Sequence, residues 1–542
     1  MTTGMARAEL EHLRARREGG GAGRMALWAP YVLSFFFAIS ALRGVSRTEV
    51  IFADAARHAM NGVFVYDMVR TGHIRHPIAY AKEYYGHLPA LSVPYHPPLF
   101  PVVESLFFAV LGVKLLSARL AVAFAVGIST FLLYRLVQAT LGSNALAACV
   151  TVTTLSLWNV QLAARDVMLE FPAMAFALAA LYCLRDMDYA FPLGRALLFA
   201  AFAAGAVWTK QQGVFLGAVP VVYAVLARRW RLLFRKEMWV SLLILGAAVI
   251  GLMFLSMHFL RRGDPNQIGT TSKDFRLIFL KNVRIYSQWV VSNLIGLPGV
   301  FAASAIAMYA WVVHKRGWQK VGWSLYLAWI VSVVAVLLVL GAVDLRYLFF
   351  LFPPAIIVGY ALLFRSCSCL WDERRAWYVP AGFAVVWFAV GLLYQPRFLR
   401  GPRDAAALVA HGTPTRVLYA GDEGGNFIFA VRSLDPKLQS TVILGEKLPA
   451  ESFEPIAFER FCRKYGVNWI ALEEVPGILP WSGLLKTPAA SMKLERSIPL
   501  ESYRRAGNGK INLYRFTAPV DSSGGVLEIP VKKMGGTIKV KL

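Results

Sequence analysis

Residues 196–227 read ALLFAAFAAGAVWTKQQGVFLGAVPVVYAVLA, nearly free of charge. As one straight helix this stretch would run about 48 Å, against a bilayer hydrocarbon core of about 30 Å. The polar interruption Lys210-Gln211-Gln212 therefore divides it into two spans, 196–209 and 212–227, with a lysine in the turn between them. A chain that folds this way is a polytopic membrane protein, and its turns are the parts that meet water and headgroups.

The remainder has the same character. The 542 residues are 57% hydrophobic with a mean hydropathy of +0.51, too apolar for one soluble domain. The formal charge of +25 resides in loop Lys and Arg, which orient helices and meet anionic lipid headgroups. No compact basic domain with interleaved stacking aromatics is present, so nucleic acid is excluded as a partner. Of five cysteines, Cys149 and Cys183 lie in apolar helices, Cys367 and Cys369 fall in an expected cytoplasmic loop, and Cys462 stands alone. Such spacing gives neither a disulfide framework nor a Cys-based zinc site.

Further apolar segments occur near 26–42, 117–137, 144–161, 167–184, 238–259, 287–313, 321–341, 345–364 and 377–395. With the pair above, the expectation is about eleven spans. The run 26–42 is long, aromatic-rich and without a small-residue cleavage motif before Arg43, so it reads as a retained first helix. Leu99 to Val113 competes as a twelfth span, and charge decides against it. With this segment flat on the membrane, Arg228-Arg229-Trp230-Arg231, Arg235-Lys236, His314-Lys315-Arg316 and Arg374-Arg375 all fall inside, as the positive-inside rule requires. Pro97-Pro98, Pro101 and Glu104 also suit an interfacial helix.

This layout gives a cytoplasmic basic N-terminus (1–25), a membrane domain (26–398) and a C-terminal extracytoplasmic domain (399–542). The first outer loop, 43–117, carries a helical stretch near Glu49–Met60 and an extended part near Tyr80–Pro94. The C-terminal part changes composition sharply. Short β-rich runs at Arg416–Ala420, Thr441–Leu444, Trp469–Leu472 and Ile511–Phe516 surround a helical pattern at Glu454–Tyr465, which reads as a small α/β domain. Val526–Val531 and Thr537–Leu542 flank Met534-Gly535-Gly536 as a terminal hairpin. Gly424-Gly425, after Asp422-Glu423, reads as a turn, lacking a dinucleotide or P-loop pattern.

Candidate chemistry gathers on the outer face. Glu49, seven residues past the first span, reads as a general base at the membrane surface, or as a helix-start acid capped by Thr48. Asp166 and Glu170 have i, i+4 spacing where one span exits and the next enters, with Arg165 beside them and Pro172 suiting a helix start. Glu170 positions a substrate or a basic partner in this reading. His96, in Tyr95-His96-Pro97-Pro98, has a backbone pre-set by proline and could hold a phosphate at headgroup level. Lys210 and Arg346, the latter followed by Tyr347, are outward cations at short turns, suited to a leaving phosphate or to ordinary headgroups. Asp54, Asp67 and Asp344 read as acidic neighbours of plain surface.

Taken in order, these features resemble the GT-C superfamily of membrane glycosyltransferases, in the branch of protein O-mannosyltransferases and aminoarabinose transferases. The resemblance covers roughly residues 26–365. It consists of a first span, the acidic helix Thr48-Glu49…Ala53, and the basic-proline entry His96-Pro97-Pro98. The exit turn Arg165…Leu169-Glu170-Phe171-Pro172 follows, then Thr209-Lys210 and Arg346-Tyr347…Pro353-Pro354. The family's first loop usually reads Asp-Glu where Thr48-Glu49 stands here, and its second site is usually Asp where Glu170 stands.

The resemblance implies a hexosyl- or pentosyltransferase of the cell envelope. It would take a sugar from a polyprenyl-phosphate donor and pass it, by inverting attack on the extracytoplasmic side, to a protein, lipid or glycan acceptor. Glu49 and Glu170 would be the catalytic carboxylates. Tyr95, His96, Arg165, Asp166, Lys210, Arg346 and Tyr347 would bind substrate. The implied location is the plasma (inner) membrane, multi-pass, among membrane lipids. No cofactor is demanded, and the sequence leaves open whether a divalent cation assists. A lipid-linked-sugar transporter or flippase, or an inactive membrane scaffold, are the competing classes. The first predicts pseudo-symmetric halves and interrupted helices at the midplane, which the sequence does not display.

Overall fold

The computed structural model describes residues 22–49, 53–93, 95–187, 191–259, 275–294, 324–340, 343–372, 375–410, 414–477, 479–502, 509–521, 525–531 and 536–541. Its first part is helical: α1 (Ala22–Ala41), α2 (Ala53–Arg70), α3 (Pro77–His87), α4 (Leu99–Leu111), α5 (Leu115–Leu141), α6 (Asn144–Ser156), α7 (Trp158–Ala164) and α8 (Glu170–Leu184). Then follow α9 (Leu193–Thr209), α10 (Phe215–Leu226), α11 (Lys236–Phe259), α12 (Phe275–Leu294), α13 (Ser324–Val339), α14 (Phe352–Leu370) and α15 (Tyr378–Leu393).

Among the described residues, five helical stretches are long and apolar enough to cross a membrane: Leu27–Arg47, Leu115–Leu141, Lys236–Ser256, Leu345–Leu370 and Arg375–Leu393. A sixth is the pair α6–α7, bent by 73°. Shorter apolar helices, including α8, α9, α10 and α13, complete a multi-pass membrane architecture. Much of the expected 287–313 span lies outside the described residues, as do the basic N-terminus and the hairpin turn 532–535.

Several expectations are corrected. The 144–161 span is broken at Leu157, whose backbone is extended (ψ 137°). Tyr80–His87 is helix rather than extended chain. Pro77 starts α3, and Tyr80 and Tyr84, one turn apart, pack on Phe64 of α2 with ring centroids at 5.7 and 5.4 Å. Cys367 and Cys369 sit in α14 rather than in a loop.

The division of 196–227 is as the length argument requires. α9 ends at Thr209, Lys210 is extended, and a 3₁₀ turn at Gln211–Val214 leads into α10. Gly213 lets this turn press against α9, since a Cβ there would stand 2.7 Å from the Ala206 carbonyl carbon.

The C-terminal part is an α/β domain. Its six-stranded sheet has the order β1-β5-β6-β4-β2-β3, with β1 (Leu399–Arg400), β2 (Arg416–Ala420), β3 (Thr441–Leu444), β4 (Trp469–Glu474), β5 (Met492–Ser502) and β6 (Gly509–Phe516). β2 pairs in parallel with β3 and β4, and the other pairs are antiparallel. Helices α16 (Pro402–Val409), α17 (Gly424–Leu434) and α18 (Pro455–Tyr465) flank it. Gly424-Gly425 therefore opens a helix rather than making a free turn. β7 (Val526–Val531) and β8 (Gly536–Lys541) form the expected terminal hairpin.

Helix α3 and this domain share a core. Tyr85 of α3 is buried with Leu418, Ile443 and Val540. Val540 stands over Gly86, where an added Cβ would come within 2.6 Å of it. Just past α1 and α15 the chain is stitched to itself: Arg43 Nη1 donates to Leu392 O at 2.9 Å, and Glu49 N donates to Leu399 O at 2.8 Å.

Candidate active site

Five breaks in the helical packing deliver polar side chains to one place. The first is the start of α2, where Asp54 and His58 are four residues apart and so share a face. The second is Tyr95-His96-Pro97, held ahead of α4 by His96 N donating to Ser92 O (2.9 Å) and Gln211 Nε2 donating to Tyr95 O (3.2 Å). The third is Glu170, the first residue of α8. The fourth is the Lys210 turn. The fifth is a 3₁₀ turn at Leu345–Leu351, where Asp344 Oδ1 accepts from Arg346 N at 2.9 Å.

Together they line two adjoining cavities. The smaller, about 180 Å³, has walls of Asp54, His58, Tyr95, His96, Glu170, Lys210, Gln211, Gln212, Arg346 and Tyr347. The larger, about 450 Å³, is lined by Trp158, Asn159, Leu162, Ala163, Leu345, Phe349, Phe352, Asp344 and Arg397. Asp54, Met168, Glu170 and Arg346 belong to both, so they form the partition between them. Arg397 lies over the Trp158 ring, 5.0 Å from its centroid. Gln212 and Tyr347 also border an apolar crevice of Phe215, Val333, Val336, Leu337 and Phe350.

Two charge groups hold this arrangement. Lys210 Nζ donates to Glu170 Oε1 at 2.6 Å, and Glu170 is 1% exposed. Lys210 also stands over the Tyr347 ring at 5.7 Å. Arg346 Nη2 reaches Asp54 Oδ2 at 3.1 Å and Asp344 Oδ2 at 2.6 Å. The rings of His58 and His96 meet edge to face at 4.5 Å.

Burial pushes the Asp54 carboxyl upward, but Arg346 above all, with Arg57, holds it below its ordinary value, so it is ionised at neutral pH. Burial takes the His58 imidazole down to about 4 against the pull of Asp54 and Glu170, so it stays neutral. Its Nδ1 is buried without a hydrogen-bond partner among the described residues. An ionised acid, a neutral imidazole and two cations side by side can take up a proton at one point and hold an oxyanion at another. Among the described residues no group of three or more His, Cys, Asp and Glu is spaced to hold a metal ion.

Of the residues singled out in the sequence, Tyr95, His96, Glu170, Lys210, Arg346 and Tyr347 converge on the smaller cavity. The placement of Glu49 is corrected: it lines neither cavity. Its carboxylate accepts from Gly401 N and Arg403 N, both at 3.0 Å, and so caps α16 of the C-terminal domain. Burial raises its pKa to about 8, against the two N–H groups that favour the ionised form. The physical reason is that Thr48 is extended and Glu49 pairs with Leu399, so Glu49 lies outside the helix that was expected near Glu49–Met60.

Arg165 and Asp166 are likewise absent from both cavity walls. Arg165 Nη1 donates to Tyr394 O at 3.3 Å and Asp166 Oδ1 accepts from Val167 N at 2.9 Å. Asp54 and His58, which the site does contain, carry a signal of their own in the sequence. They are an acid and a histidine at i, i+4 within an alanine-rich run, on one helical face.

Comparison with known proteins agrees with this architecture. A family profile described as dolichyl-phosphate-mannose-protein mannosyltransferase matches residues 95–258, the segment holding His96, Glu170 and Lys210. No curated protein matches the chain in sequence. Among solved structures, ArnT from Cupriavidus metallidurans bound to undecaprenyl phosphate aligns over 91% of this chain and 98% of its own, at 15% identity and TM-score 0.55. The same protein in the apo state gives 14% identity, the same coverages and TM-score 0.56. The chain thus shares the fold of ArnT over most of its length.

Proposed function

We propose that the protein transfers a sugar from a polyprenyl phosphate to an acceptor at the outer surface of the membrane, by a single inverting displacement. The observation that carries this reading is the partition itself. Asp54, Arg346 and Glu170 stand between a cavity rich in cations and histidines and a larger, more apolar one. That is the layout a two-substrate displacement needs, with departure on one side of the sugar and attack on the other.

The donor phosphate sits in the smaller cavity beside Lys210, His96 and Tyr347. The ArnT structure that shares this fold was solved bound to undecaprenyl phosphate, a ligand of this class. The acceptor enters the larger cavity. Its hydroxyl or amine gives a proton to the Asp54 carboxylate as its oxygen or nitrogen bonds to the anomeric carbon. The anomeric C–O bond to phosphate breaks, and the electron pair leaves on the phosphate, where Lys210 stabilises it. Arg346 keeps Asp54 ionised, so Asp54 accepts the proton only as positive charge develops on the nucleophile. Glu170 holds Lys210 at the phosphate. Glu49, expected from the sequence as the base, acts in this reading as a cap.

Sugar release from radiolabelled undecaprenyl-phosphate sugars tests the proposal. Asp54→Asn should lose about 10²–10⁴-fold in rate while undecaprenyl phosphate still binds. Glu49→Gln should stay active. Wild-type turnover in Asp54→Asn, or inactivation by Glu49→Gln alone, would refute the assignment.

A further inference from the structure

Helix α2 reaches from the active site to the C-terminal domain. Asp54 and His58 occupy its first two turns, and Asp67 lies thirteen residues on, about 20 Å along the axis at 1.5 Å per residue. Asp67 is completely buried. Its Oδ2 accepts from Arg432 Nε of α17 at 2.7 Å and from Tyr84 OH of α3 at 2.9 Å, and its Oδ1 accepts from Arg432 Nη2. Arg70 Nη2 approaches Oδ1 at 3.5 Å and also donates to Pro436 O at 2.8 Å. Arg432 is 3% exposed, and its Nη1 donates to Asp435 O at 3.2 Å.

A buried ion pair gains little over apolar packing of the same shape, so stability is a weak reason for one here. What a two-pronged guanidinium–carboxylate contact provides is a fixed distance and a fixed angle. Midway along α2, Asn61 exchanges two 2.9 Å hydrogen bonds with Ser92, at the foot of the Tyr95-His96 segment. Asn61 is thus a pivot, about 10 Å from Asp54 on one side and about 9 Å from Asp67 on the other. A shift of about 1 Å at the Asp67 end moves Asp54 by a similar amount, a misplacement able to cost roughly 10²-fold in rate.

We propose that Asp67 and Arg432 are positioning residues for transfer: through them the C-terminal domain sets the tilt of α2 and hence the place of Asp54 between the two cavities. This rests on the transferase reading above. The test uses the full-length protein in nanodiscs with Asp67→Asn and Arg432→Lys, both of which keep a hydrogen-bonding group but lose the charged fork. Active protein is counted by bound undecaprenyl phosphate, and turnover of undecaprenyl-phosphate sugars is expressed per bound site. The expected result is a 10- to 100-fold fall in kcat per site, with donor KM and undecaprenyl phosphate affinity within about twofold of wild type.

A purely structural role would reduce the number of binding sites and leave kcat per site unchanged, and that outcome overturns the proposal. Loss of undecaprenyl phosphate affinity in parallel with kcat also overturns it, because the tilt would then act on the whole pocket rather than on Asp54. A wild type that binds undecaprenyl phosphate but turns over no sugar overturns the transferase reading, and this proposal with it.

Discussion

Replacing Lys210 by Met removes a charge from the active site while keeping most of the side chain's apolar stem. Glu170, 1% exposed, then loses the ammonium that stands 2.6 Å from its carboxylate. Arg346 cannot take over fully, being committed to Asp344 and Asp54. Removing one partner of a buried pair costs about 3–5 kcal/mol, because the other charge is left uncompensated, whereas replacing both by apolar groups is often neutral. The single variant should therefore lose about 3–5 kcal/mol. The double variant Lys210→Met with Glu170→Leu should recover all but about 1 kcal/mol of that. Activity should behave differently: both variants fall by at least about 10²-fold, the scale for losing one group that stabilises a developing oxyanion. Equilibrium unfolding in mixed micelles, followed by tryptophan fluorescence, measures the first quantity, and single-turnover sugar release measures the second. A double variant no more stable than the single one would refute the argument that Lys210 compensates Glu170.

Two further outcomes follow from particular contacts. Gly213→Ala puts a methyl 2.7 Å from the Ala206 carbonyl carbon and 2.8 Å from Val207 N. Backbone cannot yield as a side chain would, so the variant should lose about 1–3 kcal/mol in the same unfolding measurement. Its turnover should fall about 10- to 100-fold as the Lys210 turn moves. The second outcome concerns pH. The Glu49 carboxyl titrates near 8 when folded, against 4.5 ordinarily, so between these values the folded state binds more protons. The stability it contributes is fully present below 4.5 and lost as pH rises through 8. Glu49→Gln should flatten that segment of the stability–pH curve, and an unchanged slope would show that Glu49 is ionised in the fold.

Long apolar runs made the membrane architecture readable, because their lengths can be set against a known thickness. The Lys210 division is the clearest case. Six cavity residues were readable too, since each is a polar group next to a proline or a short turn at the end of an apolar run. Glu49 and Asp54 mark where this reasoning stopped. A capping pattern at Thr48 put Glu49 at a helix start, whereas Thr48 and Glu49 pair with Leu399 and Gly401, some 350 residues away. Contacts between segments so far apart leave no local trace. The same holds for α3, read as extended near Tyr80–Pro94, whose tyrosines pack on Phe64 of another element.

The stitching just beyond α1 and α15 has a topological consequence. Arg43 meets Leu392, Arg400 Nε donates to Arg47 O at 2.9 Å, and Leu399 N donates to Thr48 Oγ1 at 3.0 Å. Both helices therefore hand the chain to the same side of the bilayer. A chain that emerges where it first emerged has crossed an odd number of times, whatever the length or hydropathy of the helices between. Eleven crossings satisfy that parity, and adding α4 as one more would break it. Two short segments in contact thus constrain the path of the 350 residues that separate them.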